Sequence, residues 1–435
     1  MKRVIQSVKG TRDFYPEAMA LRTWLYTKFR EASEAFGYQE WEAPLIELLE
    51  LYAAKSGDEL VREQAYVFTD RGGSQLTLRP ELTPSLARMV AQRQNELTFP
   101  LRWWSFGPCW RYERPQKGRT REFFQWNVDL LGADSPEADA ENVAVLAHFF
   151  RLVGLLPTQV KIMVNSRQLL DRRLAEFEVA MPRRAAVAEW IDRRGKLSAQ
   201  QWEKLGADAG LIGRQIKQVI AMLEEQEAWR KSEELVRFFA AMDALGLGAY
   251  VSFSPGVVRG LAYYTGTVFE AWEIGGEIKR AILGGGRYDN LLSAVGGEPL
   301  PAVGFAMGDV VIGLVLGKAG LLPSDQSASP ARVLITAFDS ERVAPSFAVA
   351  AELRSAGIAC LTYPDPARLQ KQFRYADRLG VRLVLVLGPD EIARGTVVVK
   401  DLASGAQESV QRGILAHFIR SRLQQEPASK RLGEE

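Results

Sequence analysis

Four arginines, Arg111, Arg114, Arg119 and Arg121, crowd between two stretches of alternating character, Leu101 to Gly107 and Phe123 to Leu131. Pro115 and Gly118 interrupt the gap, so the pattern predicts a β-hairpin with a basic tip. Guanidinium groups held this close repel one another, and a phosphate-rich partner would relieve that repulsion. A solvated basic loop is the plainer alternative. The two-residue period of a strand puts Arg111 and Glu113 on one face of the outgoing strand, and Gln125 and Asp129 on one face of the return strand. A floor carrying a guanidinium, two carboxylates and an amide is costly to bury without a polar ligand.

The segments Trp110-Arg111-Tyr112-Glu113 and Arg119-Thr120-Arg121-Glu122-Phe123 resemble motif 2 of the class II aminoacyl-tRNA synthetases. The loop Arg114-Pro115-Gln116-Lys117-Gly118-Arg119 and the ending Gln125-x-x-x-Asp129 are similar to those of the histidyl-tRNA synthetases. Other segments extend the resemblance over nearly the whole chain. They are Lys9-Gly10-Thr11-Arg12-Asp13, Leu78-Arg79-Pro80-Glu81-Leu82-Thr83, Arg259-Gly260-Leu261-Ala262-Tyr263-Tyr264 and Gly284-Gly285-Gly286-Arg287-Tyr288-Asp289. Three consecutive glycines weaken a strand and normally mark close approach to a ligand or another backbone. The chain departs from the family pattern in two places: Ala262 stands where aspartate is common, and Val310-Val311 replace the Glu-Arg that continues motif 3 after Gly304 to Gly308. The second change removes an arginine that generally faces the ATP phosphates. The run it begins, Val310 to Leu316, reads as a buried helix.

The resemblance implies histidine activation by ATP and transfer to tRNA(His). Attack of a carboxylate on the α-phosphate brings two anions together, so fixed positive charge is needed where negative charge accumulates. On this basis Arg111 and Arg259 are the expected catalytic arginines, with Gln125 beside them. Arg111 would meet the α-phosphate, and Arg259 would bridge it to the substrate carboxylate. Phe123 would stack on adenine, Glu113 would accept its exocyclic amine, and Arg119 would reach the terminal phosphates, with Mg²⁺ carried on the pyrophosphate. Asp129 and Tyr264 are the expected partners of the two imidazole nitrogens, Glu81, Thr83 and Gln125 those of the α-ammonium, and Tyr263 would line the pocket. An acid such as Glu81 just before a helix is also an ordinary N-terminal residue. Gln116 corresponds to the family's reader of the first acceptor base pair.

The elements that must position these residues follow from the chain at large. Its 435 residues suggest two or three domains, and 47% hydrophobic with 25% charged residues is a globular composition. A formal charge of +2 means that nucleic-acid contact must come from local patches. Two cysteines and two histidines leave no zinc-ligand spacing, so no protein-bound metal is expected. The start lacks a secretory apolar core, and no run of about 18 apolar residues occurs, so a cytoplasmic protein is expected.

The expected architecture is an α+β catalytic domain on an antiparallel sheet (residues 1–325, with a helical insertion at about 165–248). An α/β anticodon-binding domain (326–425) with a largely parallel sheet and a tail (426–435) would follow. The segment Tyr38 to Leu45 resembles motif 1, which implies a homodimer; an edge strand ended by proline accounts for it equally well. Near the C-terminus, Arg368, Lys371, Arg374 and Arg378 form a basic stripe on a predicted helix opposite Leu369, Phe373 and Ala376. That stripe is either a solvated face or a track for the tRNA backbone. The alternative to an enzyme is an inactive paralogue acting as a histidine-sensing regulatory or RNA-binding subunit.

Overall fold

The computed structural model describes residues 4–53, 63–116, 118–259, 264–323 and 329–425. These described residues fall into two compact units, one within residues 1–13 and 24–322, the other within 14–23 and 323–435.

An eight-stranded sheet carries the first unit. In spatial order its strands are Gln39–Glu40, Leu101–Trp110, Glu122–Leu131, Ala302–Gly308, Leu283–Arg287, Thr267–Glu273, Val160–Ser166 and Val251–Phe253. All pairs are antiparallel except the two at the edges. Alternation sorts the side chains between two faces. Trp104, Trp126, Val128, Phe269 and Phe305 point to the face covered by Phe29 and by Phe149 of the helix Pro136–Leu152. Phe29 stacks on Trp126 at 4.7 Å, and the Trp126 indole N–H donates to Ser33 Oγ at 3.1 Å, which satisfies the one polar atom that ring buries. The opposite face carries Gly107, Gln125, Asn127, Asp129, Glu270, Gly284, Gly286 and Gly304 in register. One face is core, and the other is left for chemistry.

The insertion forms helices Arg167–Glu176, Met181–Asp192, Ala199–Asp208, Gly213–Met222 and Glu233–Ala244. Four of them close on Leu174, Val187, Trp190, Trp202 and Val219, where the two tryptophans stack at 4.3 Å and each donates its indole N–H to the other's carbonyl. In the second unit the sheet order is Cys360–Thr362, Val333–Ile335, Leu383–Val386, Thr396–Asp401, Gln407–Gln411. Only the pairs made by Val333–Ile335 are parallel; the other two are antiparallel, so the sheet is mixed and not largely parallel. Val410 lies in the fifth strand, and the last helix is Leu415–Gln424.

Pairing in the strand Thr267–Glu273 begins at Thr267, and Arg259 before it holds a left-handed backbone (φ 52°) that no strand accommodates. Residues 274–282 form the connection to Leu283–Arg287. The expected burial of the run Val310 to Leu316 is corrected in part. The helix Asp309–Lys318 buries Ile312, Val315 and Leu316, while Val310 and Val311 stay partly exposed. Among the described residues no helix is long and apolar enough to cross a membrane.

Candidate active site

The hairpin is present, with strands Leu101–Trp110 and Glu122–Leu131 in continuous register. Its tip closes tightly: Gln116 and Arg119 exchange backbone hydrogen bonds of 3.0 and 2.8 Å around Gly118 (φ 79°). Gln116 is exposed there, as a reader of RNA must be. The ladder ends at Trp110, so Arg111 and Glu113 are not placed by strand alternation. Glu113 N–H turns back to the Arg111 carbonyl at 2.7 Å, and that turn brings the Glu113 carboxylate onto Arg119 Nε at 2.6 Å. Arg111 donates through Nε to the Pro80 carbonyl at 3.0 Å and lies 5.3 Å from the Phe123 ring centre. Arg121 sits 4.3 Å over the Tyr112 ring, against Gly10. Protein groups therefore absorb much of the repulsion for which the sequence suggested a phosphate-rich partner.

Beside the hairpin lies a cavity of about 130 Å³, lined by Arg111, Glu113, Arg119, Phe123, Val310 and Val311 among others. An aromatic face, an acid and two arginines around one opening suit a purine nucleotide with its phosphates.

Further along the floor the glycines decide the layout. A Cβ on Gly284 would stand 2.1 Å from Arg259 Nη1, one on Gly286 2.8 Å from Tyr264 Cδ1, and one on Gly304 2.0 Å from Asp129 Oδ1. Gly286 and Gly304 are direct register partners. The missing side chains let Tyr264 and Asp129 lie flat on adjacent strands, with the Arg259 guanidinium 5.9 Å from the Tyr264 ring centre. Glu270, partly buried, holds Arg259 Nη1 at 2.8 Å and accepts from Trp272 Nε1 at 3.2 Å. Arg259, Tyr264 and Asp129 are thus brought together, while Tyr263 and Ala262 lie outside the described residues.

Asp129 is 1% exposed; Oδ1 accepts from the Tyr288 hydroxyl at 2.5 Å, and Oδ2 has no partner among the described residues. Burial pushes its pKa up to about 7, against the opposing pull of the Tyr288 bond. A buried carboxylate oxygen without a donor fits a ligand that brings an N–H. Asn127, not singled out from the sequence, stands between Gln125 and Asp129 on the same face. It donates to Thr83 Oγ1 at 3.2 Å and leaves its own Oδ1 without a partner. Strand period alone could have found it. Gln125 accepts at 3.5 Å from the thiol of Cys109, whose pKa burial raises to about 12, so that thiol stays neutral. Thr83 is the first residue of the helix Thr83–Gln92, and Glu81 falls in the turn before it. Arg79, fully buried, braces that turn by bonds to Glu42, the Ala43 carbonyl and the Pro108 carbonyl, of 2.6, 2.7 and 2.8 Å.

In the second unit Arg368, Lys371, Arg374 and Arg378 are all exposed along the helix Leu369–Arg378. Its buried side is anchored by Ala376 and by Gln372, whose amide bonds both backbone groups of Ala337 at 2.9 and 2.8 Å, while Leu369 and Phe373 are only partly buried.

Residues 10–309 match the family model described as "Histidyl-tRNA synthetase", and residues 333–422 match "Anticodon binding domain". The chain is 38% identical over 432 residues to a histidine–tRNA ligase of Opitutus terrae, covering 95% of this chain and 98% of that one. It is 37% identical over 413 residues to the chloroplastic/mitochondrial histidine–tRNA ligase of Arabidopsis thaliana, covering 93% and 84%. Among solved structures, a histidyl-tRNA synthetase from Nostoc sp. PCC 7120 superposes with a TM-score of 0.83 at 26% identity, covering 97% of this chain and all of that one.

Proposed function

This chain belongs to the histidyl-tRNA synthetase family, and from that premise we infer that it is a histidine–tRNA ligase. It activates L-histidine with ATP and passes the histidyl group to the 3′ end of tRNA(His). The observation that carries this reading is one sheet face on which the arginine-bearing cavity and the buried, donor-seeking Asp129 lie at the two ends of a single strand. An inactive histidine-sensing paralogue would have no need of the arginines at the cavity end.

In the first step a histidine carboxylate oxygen attacks the α-phosphorus, and the bond to the bridging oxygen breaks to release pyrophosphate. Arg111 and Arg259 hold charge on either side of that phosphorus. Phe123 and Glu113 seat the adenine, Arg119 swings from Glu113 to the terminal phosphates, and Gln125, Glu81 and Thr83 hold the α-ammonium. Asp129 and Tyr264 take the imidazole nitrogens, with Tyr263 at the pocket wall. In the second step the terminal ribose hydroxyl attacks the acyl carbon and AMP leaves. Mg²⁺ would be carried by the ATP phosphates and would neutralise charge on the departing pyrophosphate; Glu113, the one carboxylate among the described residues lining the cavity, is given to the adenine. The test of the whole reading is histidine-dependent exchange of labelled pyrophosphate into ATP. Protein that binds histidine but shows no exchange at high ATP and Mg²⁺ would favour the regulatory paralogue.

Residues 1–325 would be the catalytic domain, 326–425 the anticodon-binding domain and 426–435 a tail, working in the cytoplasm. A homodimer is supported by Ile46, Leu48 and Phe68, which share one face of a three-stranded sheet yet are 46%, 46% and 40% exposed. A second copy would cover them.

Because Asp129 must be ionised to accept the imidazole N–H, histidine affinity is expected to rise about tenfold between about pH 6 and pH 8. In Asp129→Asn the steepness should fall to what free histidine's own titration contributes, together with weaker discrimination against glutamine. Parallel pH profiles for parent and variant would show that Asp129 is not the imidazole's partner. The same shift has the opposite sign for folding. The buried carboxyl keeps a proton that the unfolded chain surrenders, so its contribution to stability is lost as pH rises from about 4 through 7.

The stripe Arg368, Lys371, Arg374 and Arg378 would follow the tRNA backbone. Neutralising all four should weaken tRNA binding and reduce the slope of log affinity against log salt by about 3 to 4, leaving ATP–pyrophosphate exchange untouched. An unchanged slope would make the stripe a solvated face.

A further inference from the structure

The helix that starts at Asp309 offers the nucleotide cavity only valines, yet a further cation stands beside that wall. Gly118 marks the place. The position where its Cβ would stand is 3.5 Å from Arg280 Cδ and 3.9 Å from both Val311 Cγ2 and Leu314 Cδ1. With φ at 79° this residue is held to glycine, so the gap stays open. The stem of Arg280 therefore lies along the same gap as Val311, beside the hairpin tip and the cavity wall. It reaches there from residues 274–282, the connection between the strands Thr267–Glu273 and Leu283–Arg287.

Charge says what Arg280 is for. Glu113, the acid whose charge acts on Arg280, is committed to Arg119 Nε at 2.6 Å. No carboxylate lies within ion-pair distance of Arg280 among the described residues, although the side chain is partly buried. Burial first, and then the charge of Arg119, hold its pKa below the ordinary arginine value, with Glu113 opposing. A protein that places two guanidiniums about one acid at the rim of a nucleotide cavity has left one positive charge unanswered, and folding alone gives no reason to tolerate it. Gly118 and Val311, which the Arg280 stem adjoins, line the same cavity as Arg111 and Phe123, so the unanswered charge lies at the wall of that cavity.

We propose that Arg280 is a phosphate-binding residue of this site. It meets the β- and γ-phosphates of ATP, and the pyrophosphate that leaves, from the gap it shares with Val311. The proposal rests on the reading of the cavity as the ATP site. Val311 is part of the arrangement, since a short side chain there leaves open the gap beside Gly118 for which a second long cation would compete.

The test compares equilibrium binding of ATP·Mg²⁺ and of AMP by titration calorimetry in the parent, Arg280→Ala, Arg280→Lys and the double variant Arg280→Ala/Val311→Arg. Alanine is expected to weaken ATP about ten- to a hundredfold and to leave AMP unchanged, the loss of a charged hydrogen bond to phosphates that AMP lacks. Lysine should recover part of the loss, and arginine at position 311 most of it, because both restore charge to one gap. In pyrophosphate exchange the alanine variant should show a raised KM for ATP with the KM for histidine unmoved. ATP affinity equal to the parent's overturns the proposal, and so does an equal loss for ATP and AMP, which would mark a structural role. A parent that binds ATP but shows no exchange sinks the ligase reading alone, and Arg280 is then judged on the binding data. A parent that does not bind ATP overturns both.

Discussion

Arg259→Ala is expected to slow single-turnover formation of histidyl-adenylate by about 10²–10³-fold or more while histidine still binds, the cost of losing a preorganised charge at a developing anion. The structure makes this residue expensive to hold. Its backbone is left-handed, which costs a non-glycine residue about 1–2 kcal/mol. Arg167 secures that conformation by donating to the Val258 and Arg259 carbonyls at 2.9 and 3.5 Å. Glu270 aims the guanidinium across Gly284 at the floor, where any side chain on that glycine would collide with it. Strain, an aiming carboxylate and a reserved glycine all serve the position of one cation, as expected where position is the contribution to rate. Glu270→Gln separates aim from charge: it keeps the arginine and loosens it, so its effect should fall between those of the parent and the alanine variant. Adenylate formation by Arg259→Ala within about tenfold of the parent would remove Arg259 from the mechanism.

The hairpin was legible because everything that makes it is local: two alternating stretches, a proline, a glycine and the cations between them. The face carrying Gln125 and Asp129 followed from the period of two, and the same period holds Asn127 between them. The period failed at Glu113, because the ladder stops at Trp110 and a turn, not a strand, aims that carboxylate. Nor does composition report that Arg259 takes a left-handed backbone, which no strand accommodates. Arg280 and Tyr288 were hidden for a different reason. Each reaches the site only because Leu283–Arg287 pairs between Thr267–Glu273 and Ala302–Gly308, and no local pattern reports which strands become neighbours. Gln372 shows the limit of polarity as a guide. A glutamine on the inner side of its helix is fully buried because it satisfies backbone groups of Ala337 and Ala367 that no leucine could.

Replacing Arg287 with methionine should destabilise the first unit by about 3–5 kcal/mol, because it leaves a buried carboxylate without its cation. Arg287 is 5% exposed and Asp139 3%. The guanidinium donates to Asp139 Oδ1 through Nε at 3.0 Å and Nη2 at 2.6 Å, and to the carbonyls of Ala133 and Ser135 at 3.1 and 3.3 Å. Thr267 closes the set with a 2.6 Å bond to the other Asp139 oxygen. This one side chain ties the strand Leu283–Arg287 to the entrance of the helix Pro136–Leu152, and the next residue in the chain is Tyr288, which holds Asp129. Loss of Arg287 should therefore lower Tm by on the order of 10 °C and also weaken histidine binding through Tyr288. The double variant Arg287→Met/Asp139→Leu removes both charges together. It should cost clearly less than the sum of the single changes, since what the single variants suffer is the unpaired partner and not the absent pair. A loss below about 1 kcal/mol in Arg287→Met would show that water reaches the Asp139 carboxylate and that the pair is not the brace described. A large loss of stability with unaltered histidine affinity would confine the pair to the fold and leave Tyr288 to be positioned by its own backbone bond to Ala302, 2.7 Å long.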